Sequence, residues 1–188
     1  MPSLWIKHAR IIDPAAKRDA VGDLYVRDGK IVDSLPAAAR KRARVVDGTG
    51  LVACPGLVDV HVHFREPGLT HKEDLESGSL SAVMGGVTAV FEMPNTDPTQ
   101  ASVSVIEFVR SQGERAGLCD VRPSGSITIG RLGKQLSPLA ELAAAGVHLF
   151  TDDGTGVQDP LLMRRALEYA LAATGAAHTV ALREFQLV

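Results

Sequence analysis

Residues 59–68 read DVHVHFREPG. Two imidazoles, His61 and His63, stand one residue apart, with Asp59 before them and Arg65 after. On an extended strand, side chains alternate between faces. Asp59, His61, His63 and Arg65 therefore share one face, and Val58, Val60, Val62 and Phe64 share the other. Four polar groups turned inward are costly to bury unless something organises them. A divalent cation would do so: neutral imidazoles at this spacing can ligate one ion, Asp59 can orient a ring, and Arg65 can hold an anion just beyond. The competing reading is an exposed strand whose polar face meets water, and H-x-H spacing alone does not decide between them.

Two further stretches bear on that choice. EMPNTDP places Asn95 just past an apolar run, and FTDDGTG places Asp152 and Asp153 just past another. If these runs are neighbouring parallel strands, their carboxyl ends open on one face, where such folds build active sites. An aspartate before glycine also serves as a turn or helix cap, so one of the two aspartates is free to do only that.

The elements that would bring these residues together have a clear rhythm. Up to residue 55 the chain has strand periodicity with short-turn punctuation. Asp28-Gly29 suits a two-residue hairpin, and Asp47-Gly48 repeats the theme. From Pro55 onward, apolar runs begin near Leu57, Val87, Cys119 and Val147, with helical segments between them. Thr70 to Glu73 matches a capping box. Glycines follow SGSLSAVM, Ser137-Pro138 and Asp159-Pro160 read as cap plus first-turn proline, and Gly146 and Gly175 suit helix ends. Strand and helix alternating in this way indicate βα units on a parallel sheet. The first strand ends in HVHFREPG rather than a glycine-rich phosphate loop, which favours a (β/α)8 barrel over an open doubly wound sheet. The expected organisation is a small β-rich unit over residues 1–55, of composite-sandwich type, and a partial barrel of four to five βα units over residues 56–188.

Composition narrows the partners. The 188-residue chain is 45% hydrophobic and 22% charged, enough apolar content for a sizeable core. A formal net charge of -2 offers no electrostatic footprint for nucleic acid or anionic membrane. The basic run ARKRAR at 39–44 reads as a solvated loop. Cys54 and Cys119 lie far apart, as expected of free thiols in a reducing compartment. No run approaches a membrane span and the first residues lack a signal-peptide pattern, so the expectation is a cytoplasmic protein.

Taken together, PGLVDVHVHFREPG, KEDLESGSLSAVMGGVTAVFEMPNTDP and FTDDG followed by LMRRALEYA resemble the amidohydrolase superfamily, and within it the bacterial type I dihydroorotases. The resemblance runs from about residue 50 to 170. It implies one or two zinc ions bound by His61 and His63, with Asp153, directly before glycine, as a further metal ligand. It also implies that Arg65 and Asn95 hold the substrate carboxylate. The implied reaction is reversible hydrolysis of the cyclic amide of dihydroorotate to N-carbamoyl-aspartate in pyrimidine biosynthesis, assisted by zinc. Hydantoinases and allantoinases share the H-x-H strand, and Arg65 argues for the acidic ring instead.

The family's catalytic aspartate and two further histidine ligands come from later strands, and a full barrel takes about 250 residues. No catalytic residue is therefore assigned, and the chain is expected to be a truncated copy, weakly active or inactive alone. The stretch LAATGAAHTVALREFQLV departs from the family pattern. His178 falls near the distance of a further ligand, but its surroundings read better as a divergent or out-of-frame tail. A homo-oligomer, or a non-catalytic role supporting aspartate transcarbamoylase, is the alternative for a half barrel with open edges.

Overall fold

The computed structural model describes residues 3–174. The chain separates into two compact units, with the division after Pro55.

In the first unit, β1 (Leu4–Asp13) and β2 (Arg18–Arg27) pair antiparallel, with a register shift between Ile6 and Ala9. β3 (Lys30–Val32) pairs with β2 across Asp28 and Gly29, whose φ angles of 50° and 76° are those of the expected two-residue hairpin turn. A single helical turn, α1 (Ala37–Arg40), follows. β4 (Arg44–Asp47) and β5 (Val52–Ala53) then both run parallel to β1, so Asp47-Gly48 is not a hairpin. Asp47 Oδ1 instead accepts from Thr49 N at 3.0 Å and Thr49 Oγ1 at 2.7 Å, a local turn that redirects the chain. Gly48 packs so closely that a Cβ there would lie 2.8 Å from that of Ala9. These strands make one sheet, and no second sandwich layer occurs among the described residues. The basic run is exposed as expected, and its Arg40 guanidinium lies 4.0 Å from the centre of the Trp5 ring.

The second unit begins with β6 (Leu57–Val62), α2 (Leu75–Met84), β7 (Val87–Glu92), α3 (Val103–Ala116) and β8 (Asp120–Pro123). The three strands form a parallel sheet in sequential order. α4 (Leu139–Ala144) and α5 (Pro160–Thr174) follow. The fourth apolar run, from Val147, is not a full strand. It touches the sheet at one parallel bridge, Gly125 to Phe150, beyond β8, which ends in a proline with no N–H to donate. The described residues therefore give a mixed α/β structure with two sheets, and they do not close a barrel.

Two apolar clusters hold the helices to the sheet. Phe64, Leu75, Val90, Val109 and Val121 form one; Ile106, Ile127, Leu139, Leu142, Val147, Phe150, Ala166 and Ala170 form the other. The open side of the sheet differs: Leu57, Val58 and Val60 of β6 are exposed. No helix among the described residues is long and apolar enough to cross a membrane.

Several helix ends differ from expectation. α2 is capped by Asp74, whose Oδ1 accepts from Ser77 N at 2.8 Å, and not by Thr70. Residues 69–72 are already committed to tight turns, Leu69 N to Arg65 O and Lys72 N to Leu69 O. Pro138 occupies the cap position of α4 rather than its first turn, and Ser137 Oγ pairs with Ser126 Oγ at 3.1 Å. Asp159 does cap α5, accepting from Leu161 N and Leu162 N. Gly146, at φ 92°, follows α4 as expected, whereas Gly175 and His178 lie outside the described residues.

Candidate functional site

At the carboxyl end of β6 the strand alternation holds for four residues. His61 and His63 are half-buried on one face, while Val62 and Phe64 pack into the apolar cluster on the other. It stops at Arg65, whose φ of 64° turns the chain out of the strand. Arg65 therefore leaves from a turn rather than from the row of imidazoles. Asp59 is exposed, and its Oδ1 accepts from the backbone N of His61 at 3.0 Å, which braces the strand.

The loop after Phe150 brings Asp153 to the two histidines. Its Oδ1 lies 3.3 Å from His61 Nε2 and its Oδ2 lies 3.6 Å from His63 Nε2. One ligand atom from each of the three residues falls within 4.8 Å of the others. The two rings meet edge to face, with centroids 5.1 Å apart. Asn95, just past β7, bridges the group: its Nδ2 donates to Asp153 Oδ2 at 2.8 Å, and its Oδ1 lies 2.9 Å from His63 Nδ1. With the amide so arranged, His63 Nδ1 carries the proton and donates it to Asn95. Its Nε2 is then the ring nitrogen that faces the carboxylate. Two imidazole nitrogens with carboxylate oxygens are a donor set that divalent zinc accepts.

The neighbouring aspartate has another job. Asp152 is 1% exposed, and its carboxylate accepts from Thr128 N at 3.0 Å and from Thr128 Oγ1. Burial raises its pKa, opposed by hydrogen bonds from the Thr128 side chain and the Thr128 and Ile127 backbone. Of the two aspartates that the sequence left open, Asp152 is the structural one and Asp153 points at the histidines.

Glu92, the last residue of β7, went unremarked in the sequence. It is 0% exposed, and neither carboxylate oxygen is in a well-formed hydrogen bond, although the Gln100 side chain is close enough to interact with it. Burial pushes its pKa well above the ordinary carboxylate range; Gln100 and Arg65 ease that shift, and the charge of Glu66 adds to it. Because the folded value is raised, the unfolded chain releases this proton first. The associated stability is complete below the unfolded value, near 4.3, and is lost as pH rises toward the folded value. Glu92→Gln is therefore expected to flatten the decline in urea midpoint between pH 5 and pH 8. It should be more stable than the parent at pH 8, because the amide has no charged form to bury. Parallel slopes for parent and variant would show that Glu92 does not titrate in this range.

Comparison with known proteins bears on the family. Residues 50–181 match the dihydro-orotase-like family model. The chain is 42% identical over 170 residues to a dihydroorotase of Aquifex aeolicus (strain VF5), covering 90% of this chain and 40% of that protein. It is 45% identical over 170 residues to a dihydroorotase of Anaeromyxobacter sp. (strain K), covering 90% and 39%. It thus spans about two fifths of the length of these relatives. In fold it is similar to an L-hydantoinase (dihydropyrimidinase) from Arthrobacter aurescens, with a TM-score of 0.73 at 23% identity over 92% of this chain and 39% of that one. Since the match covers well over half of the chain, the chain belongs to the dihydro-orotase-like family.

Proposed function

We propose that this chain carries half of a zinc amidohydrolase site whose full form opens and closes the cyclic amide of dihydroorotate, interconverting it with N-carbamoyl-aspartate. The observation that carries this reading is the convergence of two imidazole Nε2 atoms and one carboxylate on a single point. The identity to proteins named dihydroorotase supports the ring assignment.

In hydrolysis the ring C–N bond breaks, water oxygen joins the carbonyl carbon, and a proton goes to the leaving nitrogen. A bound zinc ion would polarise the carbonyl and ease deprotonation of the water. His61, His63 and Asp153 would hold that ion, with Asn95 fixing the orientation of His63 and Asp153. Arg65 would meet the ring carboxylate through a charge-assisted, two-pronged contact that a lysine cannot reproduce. We assign no residue here to protonate the nitrogen.

The sequential parallel strands are read as the first units of an eight-fold barrel. The exposed Leu57, Val58 and Val60 then mark the edge against which its remaining units pack. The chain loaded with Zn2+ is expected to bind dihydroorotate in preference to hydantoin, which lacks the carboxylate, and to hydrolyse either ring at close to background rate. Titration calorimetry with both rings, alongside a turnover assay, tests this. Equal affinity for the two would remove Arg65 from the substrate site, and rapid turnover would show that the missing units are dispensable.

A further inference from the structure

Asp153 does not hold its position unaided. The segment 127–133 lies against it through contacts that close on themselves. Thr128, 0% exposed, donates from both its backbone N and its Oγ1 to the carboxylate of Asp152. The same hydroxyl accepts from Gly133 N at 2.9 Å, and Arg131 N donates to Thr128 O at 2.9 Å, tightening the turn. That turn places Arg131, at φ 58°, so that its Nη2 donates to the backbone oxygen of Asp153 at 2.7 Å. On the other side of the same residue, Asp153 N donates to Thr151 Oγ1 at 3.1 Å. The Asp152 oxygen is held as well, by Thr155 N at 3.1 Å and Thr155 Oγ1 at 2.7 Å. Both peptide groups flanking the Asp153 side chain are thus pinned, leaving its carboxylate only its own two torsions.

We propose that Thr128 and Arg131, acting through Asp152 and the Asp153 backbone, are positioning residues that aim the Asp153 carboxylate between the two histidines. The inference rests on the reading of Asp153 as a metal ligand and goes beyond it, since neither residue touches the ion or the substrate. A threonine hydroxyl that donates to one group and accepts from another cannot be replaced by valine of the same shape without losing both bonds. Groups that orient a ligand from behind typically change metal affinity roughly 10-fold to 100-fold when removed.

The test is Co2+ affinity, by competition with a chromophoric chelator, together with the visible absorption of the bound ion. Parent chain, Thr128→Val, Thr128→Ser, Arg131→Ala and Asp153→Ala are compared, with melting temperatures recorded for each. The proposal expects Thr128→Val and Arg131→Ala to bind Co2+ at least 10-fold more weakly with an altered spectrum, and Thr128→Ser to behave as the parent. Asp153→Ala should be the weakest. If Thr128→Val and Arg131→Ala melt lower but keep parental affinity while Asp153→Ala loses it, the positioning role is overturned and the ligand reading stands. If Asp153→Ala binds as the parent does, the ligand reading fails and the positioning role with it. Should Thr128→Val not fold, Arg131→Ala alone decides, because its side chain is only partly buried.

Discussion

His63→Ala is expected to weaken zinc binding by the chain roughly 100-fold while leaving it folded. Four-ligand zinc sites bind with about 10–16 kcal/mol, so one ligand accounts for roughly 3 kcal/mol, or roughly two powers of ten in affinity. His63 also carries a second contact, since its Nδ1 donates to Asn95, which in turn donates to Asp153. Removing the ring therefore deletes one donor and unseats the amide that fixes another. His61→Ala also deletes one donor, so it too should weaken zinc binding. The ring is half-buried and lies outside both apolar clusters, so little stability should be lost with it. Competition against a zinc chelator gives the affinities, and circular dichroism melts confirm the fold. No loss in either histidine variant would refute the metal centre.

The pairing of His61 and His63 was legible from alternation along a strand. Strand rules left Asp152 and Asp153 both open, and only the family resemblance chose Asp153, which follows a run that makes a single bridge to the sheet. What surrounds those atoms was not legible. Asn95 was expected at the substrate, and its amide also lies on His63 and Asp153, a bond between loops that no spacing encodes. Thr128 and Arg131 were invisible because their partners are 21 to 24 residues away and reached through a tight turn. Glu92 escaped notice because it shares the buried face of Val90, where period-two reasoning expects an apolar side chain. The cap of α2 was misplaced for a simpler reason: Thr70-x-x-Glu73 and Asp74-x-x-Ser77 are both plausible starts, and only the turns at residues 65–72 exclude the first. In the first unit, Asp28-Gly29 and Asp47-Gly48 look alike, and pairing with β1, a long-range fact, makes only one of them a hairpin.

Gly68→Ala should be among the most damaging single-methyl changes in the second unit, costing about 2–5 kcal/mol. Two effects add. Gly68 sits at φ 87°, where a Cβ typically costs about 1–2 kcal/mol. That Cβ would also lie 2.0 Å from the Asp97 backbone oxygen and 2.7 Å from the Asp97 Cβ, and overpacking commonly costs about 1–3 kcal/mol more. The obstruction is mainly backbone, so a rotamer change cannot relieve it. Gly86 provides the control: its φ of 82° is close to that of Gly68, but a Cβ there meets nothing within 4 Å. Gly86→Ala should therefore show the conformational part alone, and the difference between the two urea midpoints measures the clash. The consequence reaches the site, because Asp97 N donates to Pro67 O at 3.0 Å, tying the loop that begins at Arg65 to the loop that carries Asn95. Forcing these loops apart should loosen the Asn95 bridge, so Gly68→Ala should also bind zinc more weakly than Gly86→Ala does. Equal midpoints and equal affinities would mean that the two loops do not meet at Gly68, and that Arg65 and Asn95 are held independently.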